Sequence, residues 1–136
     1  MKKLILLFFC LPVITLAQKT LNQSIFHDNL ERDYIIHIPS SYNNLPVPLV
    51  LCFHGHGGSA SRMLYTNFNY ISDTANFIIV YPQATLHKGK SHWNVGRWTS
   101  ASNTDDVSFI NSLLDSLSES YNIDQSRIYS TGMSNG

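Results

Sequence analysis

Cysteine and charge are both scarce in this chain. Two cysteines occur in 136 residues, which excludes the disulfide-rich class of small secreted domains. Only 13% of the residues are charged, and nine basic residues balance nine acidic ones. The chain therefore lacks the excess of positive charge that attracts nucleic acid, and we expect no nucleic-acid partner. A hydrophobic fraction of 43% instead indicates a globular chain with a core.

Long apolar runs are also lacking after the N-terminus. There, Lys2 and Lys3 precede a mostly apolar stretch over residues 4–16, and small residues up to Ala17 offer a cleavage site. This pattern predicts a secretory signal peptide over residues 1–17. Retention as a membrane anchor, the alternative, needs about 20 apolar residues. We therefore expect cleavage near Ala17, a secreted or periplasmic protein, and no membrane partner after cleavage.

Cleavage would remove Cys10 and leave Cys52 as the one cysteine of residues 18–136. Cys52 lies in the apolar run 49–53. We interpret it as a buried structural thiol, because a catalytic thiolate needs an exposed electropositive site.

Strand-like and helix-like segments alternate along residues 18–136, which we interpret as one domain. Its first two extended runs are joined by a polar turn, which predicts an antiparallel hairpin. The later alternation is typical of an α/β protein with a mostly parallel sheet covered by helices. We predict strands over residues 23–27, 32–38, 49–53, 77–80 and 127–131, helices over 61–73 and 105–120, and a long site-lining loop over 82–104.

The predicted helix 105–120 has the clearest amphipathic pattern. Its apolar face contains Val107, Ile110, Leu113, Leu114 and Leu117. Asp105 and Asp106 open the helix, where a carboxylate accepts hydrogen bonds from the first N–H groups and complements the helix dipole. We interpret both aspartates as capping residues.

The segment Gly132-Met133-Ser134-Asn135-Gly136 matches G-x-S-x-G directly after a predicted strand. This placement is typical of a nucleophile turn, in which a sharp bend exposes the serine hydroxyl. Glycines on both sides leave room for the strained backbone. Ser134 is therefore the candidate nucleophile, and a glycine-rich turn with an incidental serine is the alternative.

A second motif, His54-Gly55-His56-Gly57-Gly58, follows the predicted strand 49–53. Ester hydrolysis passes through a tetrahedral oxyanion, which backbone N–H groups stabilise by a few kcal/mol each. Glycines let the backbone approach that oxyanion closely. We assign one donor to the N–H of Asn135 and the other to the N–H of His56, with Gly57 as the fallback.

None of the six histidines is assigned as the general base for Ser134. In a strand-to-helix serine motif of this kind the chain order is nucleophile, acid, histidine, so we expect the base beyond Gly136. The other histidines are interpreted as structural (His54), as surface residues (His27 and His37), or as residues bordering a substrate cleft (His87 and His92).

A metal-dependent hydrolase is an alternative that uses the same histidine-rich motif. His54 and His56 would share an ion with Asp105 or Asp106.

Aromatic residues in the long loop have two interpretations. Trp93, Asn94 and Trp98 are candidates for a substrate-binding wall, and a tryptophan that fixes the loop to the core is equally compatible with the sequence. A non-catalytic carbohydrate-binding protein that uses Trp93 and Trp98 is a further alternative.

Read together, these segments resemble the secreted polyhydroxybutyrate depolymerase and feruloyl esterase-like branch of the α/β-hydrolases. The resemblance covers essentially all of residues 18–136. It is carried by residues 30–34, 38–42, 48–51, 93–94, 104–110 and 123–129 and by the two glycine-rich motifs.

The resemblance implies an exported carboxylic ester hydrolase of the α/β-hydrolase fold. It implies a Ser-His-Asp triad, an acyl-enzyme on Ser134 and no metal or cofactor. The implied substrates are polyhydroxyalkanoates, feruloyl or acetyl esters of plant polysaccharide, or small esters, with a serine peptidase of the same fold as the alternative. We expect residues 18–136 to be the N-terminal part of one domain, truncated after the nucleophile strand and inactive alone.

Overall fold

The computed structural model describes residues 19–96 and 102–136, so the predicted signal peptide and Trp98 lie outside the described residues. The strands are β1 (Lys19–His27), β2 (Leu30–Ile38), β3 (Val47–Phe53), β4 (Ile78–Pro82), β5 (Leu86–His87), β6 (Lys90–Ser91) and β7 (Ile123–Gly132). The helices are α1 (Ala60–Met63), α2 (Phe68–Ala75) and α3 (Asp106–Ser120), with a 3₁₀ turn at Leu64–Thr66. Over the described ranges, no helix has both the length and the hydrophobicity to cross a membrane.

Five strands form the main sheet in the order β1-β2-β4-β3-β7. β2 is antiparallel to both of its neighbours, whereas β3 is parallel to β4 and to β7. β2 is therefore the strand of this sheet that runs against the other four. The prediction of a mostly parallel sheet with an antiparallel hairpin at its start is confirmed.

The opening hairpin has a two-residue turn. Asp28 and Asn29 have φ angles of 49° and 59°, and positive φ at both central residues matches the twist of the flanking strands. β1 is longer than predicted, because its polar first residues pair with β2 as far as Lys19 opposite Ile38.

The core lies on both faces of the sheet, as the continuous apolar runs predict. On one face, Leu49, Leu51, Ile78 and Val80 pack with Phe109, Leu113 and Leu117 of α3. On the other face, Cys52, Ile79 and Tyr81 pack with Ala60 and Met63 of α1. Burial raises the pKa of the Cys52 thiol to about 11, which agrees with a structural role.

The single helix predicted over residues 61–73 is wrong. The chain forms α1, a 3₁₀ turn and α2, and the break lies at Asn67, which has a φ of 62°. The short polar side chain of asparagine tolerates this left-handed conformation, but a right-handed α-helix cannot continue through it. After the break, Ile71 faces outward and is exposed.

α3 begins and ends almost where predicted, but its buried face is rotated relative to the predicted apolar face. Phe109, Leu113 and Leu117 are fully buried, whereas Val107 is 70% exposed. Asp105 caps α3 by accepting a hydrogen bond from the N–H of Ser108 at 2.9 Å, which confirms the capping interpretation for this aspartate.

Two further boundaries differ from the sequence predictions. The connection 82–104 contains a small hairpin of β5 and β6, so it is not wholly irregular. β7 begins at Ile123, before the predicted start, with an irregular register against β3 between Val47 and Leu49.

The interpretation of His27 and His37 as surface residues is wrong. His37 is fully buried, and its ring is hydrogen-bonded to Thr20 Oγ1 at 2.8 Å and Asp73 Oδ1 at 3.1 Å. The side chain of His27 is only 11% exposed, and its ring lies 6.2 Å from that of Phe109. The rings are buried because α2 and α3 pack against the two opening strands.

Candidate active site

Ser134 follows β7 in a turn with a φ of 58°. A positive φ is strained for a residue that carries a Cβ atom, and such strain is characteristic of functional turns. The turn is held by the Met133 N–H, which donates to the Phe53 carbonyl at 3.2 Å, and by the Gly136 N–H, which donates to the Met133 carbonyl at 3.0 Å. Ser134 is exposed.

The two outer glycines of the motif are required by close backbone contacts. A Cβ atom on Gly132 would lie 2.6 Å from the carbonyl carbon of Gly136. A Cβ atom on Gly136 would lie 2.6 Å from the carbonyl oxygen of Phe53. Neither position has room for a side chain, so the turn can pack onto the end of β3 only with glycine at both.

The two glycine-rich motifs lie side by side. β3 and β7 are parallel neighbours, with Phe53 opposite Gly132, so both motifs emerge at the same edge of the sheet. A Cβ atom on Gly55 would lie 3.1 Å from the Met133 carbonyl oxygen and 3.3 Å from Ser134 Cβ. Residues 54–58, which we call the glycine loop, therefore pack directly against the serine turn.

The ring of His54 is buried and has hydrogen bonds at both nitrogens. Nδ1 lies 2.8 Å from the Gly55 carbonyl oxygen, and Nε2 lies 3.1 Å from the Ala84 backbone nitrogen and 3.1 Å from Gln83 Nε2. This pattern matches a neutral ring that donates at Nδ1 and accepts at Nε2. Burial lowers the pKa of His54, which favours that neutral form. The contacts agree with the structural interpretation of His54.

The glycine loop is held by Ser91 of β6. The Gly57 N–H donates to the Ser91 carbonyl at 2.8 Å, and the Ser91 hydroxyl donates to the Gly58 carbonyl at 2.5 Å. Gly57 has a φ of 68°, a conformation that favours glycine. Because its N–H is already bonded, Gly57 is the weaker of the two oxyanion donors considered in this loop.

Asn135 has a structural partner that its sequence position did not reveal. Its side-chain Oδ1 accepts from the Trp93 N–H at 2.9 Å, and its Nδ2 donates to the Trp93 carbonyl at 3.1 Å. The Trp93 indole N–H donates to the His54 carbonyl at 2.9 Å. The 3% exposed Trp93 ring packs against the rings of Phe53 and His54, with centroids 5.3 Å away in both cases.

A buried ion pair lies behind this segment. Arg32, which is 1% exposed, donates to Asp106 Oδ1 at 2.6 Å, and its guanidinium carbon lies 3.8 Å from the Phe109 ring centroid. Asp106 Oδ2 accepts from the Asn94 N–H at 2.7 Å. The interpretation of Asp106 as a capping residue is therefore wrong. No local pattern reveals this pair, since its members lie on β2 and α3.

Asn94 also binds backbone through its side chain. Its Nδ2 donates to the carbonyls of Ser102 and Thr104 at 3.0 Å and 2.9 Å.

A groove of about 440 Å³ opens beside the serine turn, and Trp93 and Asn94 form part of its wall. The rest of the wall includes Phe53, Val95, Val107, Ile110 and Asn135. The buried ring of Trp93 is not an exposed stacking platform for a carbohydrate.

The ring of His92 lies between those of His56, in the glycine loop, and His87. The ring centroids of His56 and His92 are 5.5 Å apart, and those of His87 and His92 are 5.4 Å apart. Within residues 19–96 and 102–136, no hydrogen bond joins the Ser134 hydroxyl to a histidine ring.

The histidines and aspartates of the metal-site alternative do not converge. His54 and Asp106 are engaged in the contacts described above, and Asp105 caps α3. Across the described ranges, no three His, Cys, Asp or Glu residues are grouped so that they could hold a metal ion.

Comparison with known proteins identifies the family. The family model described as esterase PHB depolymerase matches residues 32–136. A bifunctional acetylxylan esterase/xylanase from Neocallimastix patriciarum is 29% identical over 120 residues, which are 87% of this chain and 16% of that protein.

Solved structures show the same fold. A ferulic acid esterase superimposes with a TM-score of 0.69 at 18% identity, over 88% of this chain and 50% of that one. The CE1 ferulic acid esterase of Anaeromyces mucronatus, solved with ferulic acid, superimposes with a TM-score of 0.63 at 16% identity, over 85% and 48%. These similarities confirm the predicted α/β-hydrolase fold, and the chain spans about half the length of the two solved relatives.

Proposed function

Because the chain belongs to the esterase PHB depolymerase family, we propose that the complete protein is a serine carboxylic ester hydrolase with Ser134 as its nucleophile. One observation carries this proposal: Ser134 has a φ of 58° and abuts the glycine loop at the shared edge of two parallel strands. Such a placement allows a serine hydroxyl and two backbone segments to act on one substrate carbonyl.

In the proposed reaction, Ser134 Oγ attacks the ester carbonyl carbon and its proton passes to a base. The carbonyl oxygen becomes an oxyanion, which accepts hydrogen bonds from the N–H groups of His56 and Asn135. The carbon–oxygen bond to the alcohol then breaks, the alcohol leaves with the proton, and water hydrolyses the acyl-enzyme. We place the base and its carboxylate partner beyond Gly136, following the chain order of this motif. The proposed reaction requires no cofactor.

The proposed substrates are acetyl or feruloyl esters of plant polysaccharide. The relative from Neocallimastix patriciarum is named for acetylxylan, and a solved relative is a ferulic acid esterase. The groove lined by Asn135 and Gly136 of the serine turn has an apolar wall that includes Phe53, Val95 and Ile110, which suits an aromatic or small acyl group. Trp93 and Asn94 would contribute to this binding as part of the same wall. A polyester is a further substrate class to test.

A substrate panel on the complete, purified protein tests the proposal. We expect covalent labelling of Ser134 by a fluorophosphonate and turnover of p-nitrophenyl acetate, acetylated xylan or a feruloyl ester. Peptide cleavage without ester turnover would instead assign a peptidase. Binding of xylan without labelling or turnover would assign a carbohydrate-binding protein.

We also propose that the protein is exported and loses residues 1–17. Lys2, Lys3 and the apolar stretch 4–16 support this proposal. N-terminal mass spectrometry of the protein recovered outside the cytoplasm should find a new terminus at Gln18. An exported protein that still begins at Met1 would contradict the cleavage.

Replacing Gly57 with valine should lower kcat for p-nitrophenyl acetate by roughly 10-fold or more, since small displacements of an oxyanion donor are costly. A Cβ atom at Gly57 meets nothing within 4 Å, so the effect arises from the φ of 68°, which valine resists. Asn29→Val, in the β1–β2 turn, is the matched control, because Asn29 is exposed and also has a positive φ, 59°. A wild-type kcat in Gly57→Val would remove the glycine loop from the mechanism.

A further inference from the structure

One short segment of the chain contacts both loops that carry the proposed oxyanion donors. Residues 91–93, which we call the bridging segment, run from the end of β6 past the glycine loop to the serine turn. The two proposed donors, His56 and Asn135, belong to separate strand ends. The distance between the two N–H groups therefore depends on the contacts that connect the two strand ends.

At its first residue, the bridging segment binds the glycine loop twice. The Ser91 carbonyl accepts from the Gly57 N–H, and its hydroxyl donates to the Gly58 carbonyl. These bonds hold the peptide group between His56 and Gly57 and the one between Gly58 and Ser59. Ser91 is 7% exposed, so water does not compete freely for its hydroxyl. The loop conformation around His56 is thus tied to β6.

At its last residue, the bridging segment binds the serine turn. The Asn135 side-chain amide makes a reciprocal pair of hydrogen bonds with the backbone of Trp93. Asn135 is 6% exposed, and both the oxygen and the nitrogen of its side-chain amide are hydrogen-bonded. The same tryptophan holds the first residue of the glycine loop through its indole N–H and the His54 carbonyl. The segment therefore connects both loops within three residues.

We propose that Ser91 and the side chain of Asn135 are positioning residues that set the spacing of the two oxyanion donors. This inference rests on the proposed esterase function. Neither side chain needs to touch the substrate. Ser91 acts through the backbone N–H of His56, and the Asn135 side chain acts through the backbone N–H of Asn135 itself. Each N–H must point at the position of the oxyanion in the transition state and not at the oxygen of the planar ester.

The test uses Ser91→Ala and Asn135→Ala in the complete protein. Each should lower kcat by roughly 10-fold to 100-fold with little change in KM, because a misplaced donor weakens binding of the transition state. Affinity for a trifluoromethyl ketone, to which the serine adds to form a tetrahedral oxyanion, should fall by the same factor. Ser91→Thr keeps the hydroxyl and should restore most of kcat.

Ser40→Ala and Asn22→Ala, at exposed positions, are the matched controls and should retain wild-type kcat. Thermal unfolding and fluorophosphonate labelling of folded protein accompany each assay. Unchanged kcat, or a loss that only follows the folded fraction with no change in inhibitor affinity, would overturn the inference. A wild-type protein that neither labels at Ser134 nor hydrolyses esters would instead overturn the proposed function itself.

Discussion

Replacing Ser134 with alanine is expected to abolish ester hydrolysis by the complete protein, with a loss on the order of 10⁶-fold in kcat. The loss is this large because the nucleophile and its base act as a unit. The backbone at Ser134, with its φ of 58°, tolerates alanine no worse than serine. Thermal unfolding should therefore remain close to that of the wild type.

The measurement is the initial rate of p-nitrophenyl acetate hydrolysis, with fluorophosphonate labelling in parallel. Ser40→Ala, at an exposed position far from the turn in sequence, serves as the control and should label and turn over normally. If Ser134→Ala retained more than roughly 10% of the wild-type rate, its activity would lie far above the expected residual activity. That result would exclude Ser134 as the nucleophile.

Replacing Asp106 with alanine is expected to lower the free energy of unfolding by about 3–5 kcal/mol. The substitution leaves the guanidinium of Arg32, 1% exposed, without its carboxylate. It also removes the acceptor for the Asn94 N–H. The large value reflects an uncompensated buried charge, not the net contribution of the ion pair. Chemical denaturation of the purified protein measures it.

Asp105→Ala is the matched control for this prediction. Asp105 is exposed and caps the same helix with one hydrogen bond, so its loss should cost only about 1 kcal/mol. The double variant Arg32→Met/Asp106→Leu removes both charges and should recover part of the stability lost in Asp106→Ala. Equal destabilisation by the two single aspartate variants would show that the Arg32 charge finds another partner.

Local features of the sequence determined much of the fold and the outline of the site. The Asp28-Asn29 turn, the apolar run of β3 and the Asp105 cap are each specified by residues that are close in the chain, so their physics is readable without tertiary contacts. The G-x-S-x-G motif is also recognisable as a local pattern. The contact that requires glycine at position 136 is nevertheless tertiary, because a Cβ atom there would meet the carbonyl oxygen of Phe53.

Only the tertiary structure decided which polar side chains are buried and what they bind. His37 meets Asp73, Arg32 meets Asp106, and both pairs join elements far apart in sequence. The link between the Asn135 amide and Trp93 has the same character. A single hydrogen bond or ion pair leaves no periodic pattern in the sequence, because it requires only that two side chains lie close together in the folded protein. Sequence periodicity therefore predicted the strands and α3, whereas the contacts that hold the site together became visible only once the strands were assembled.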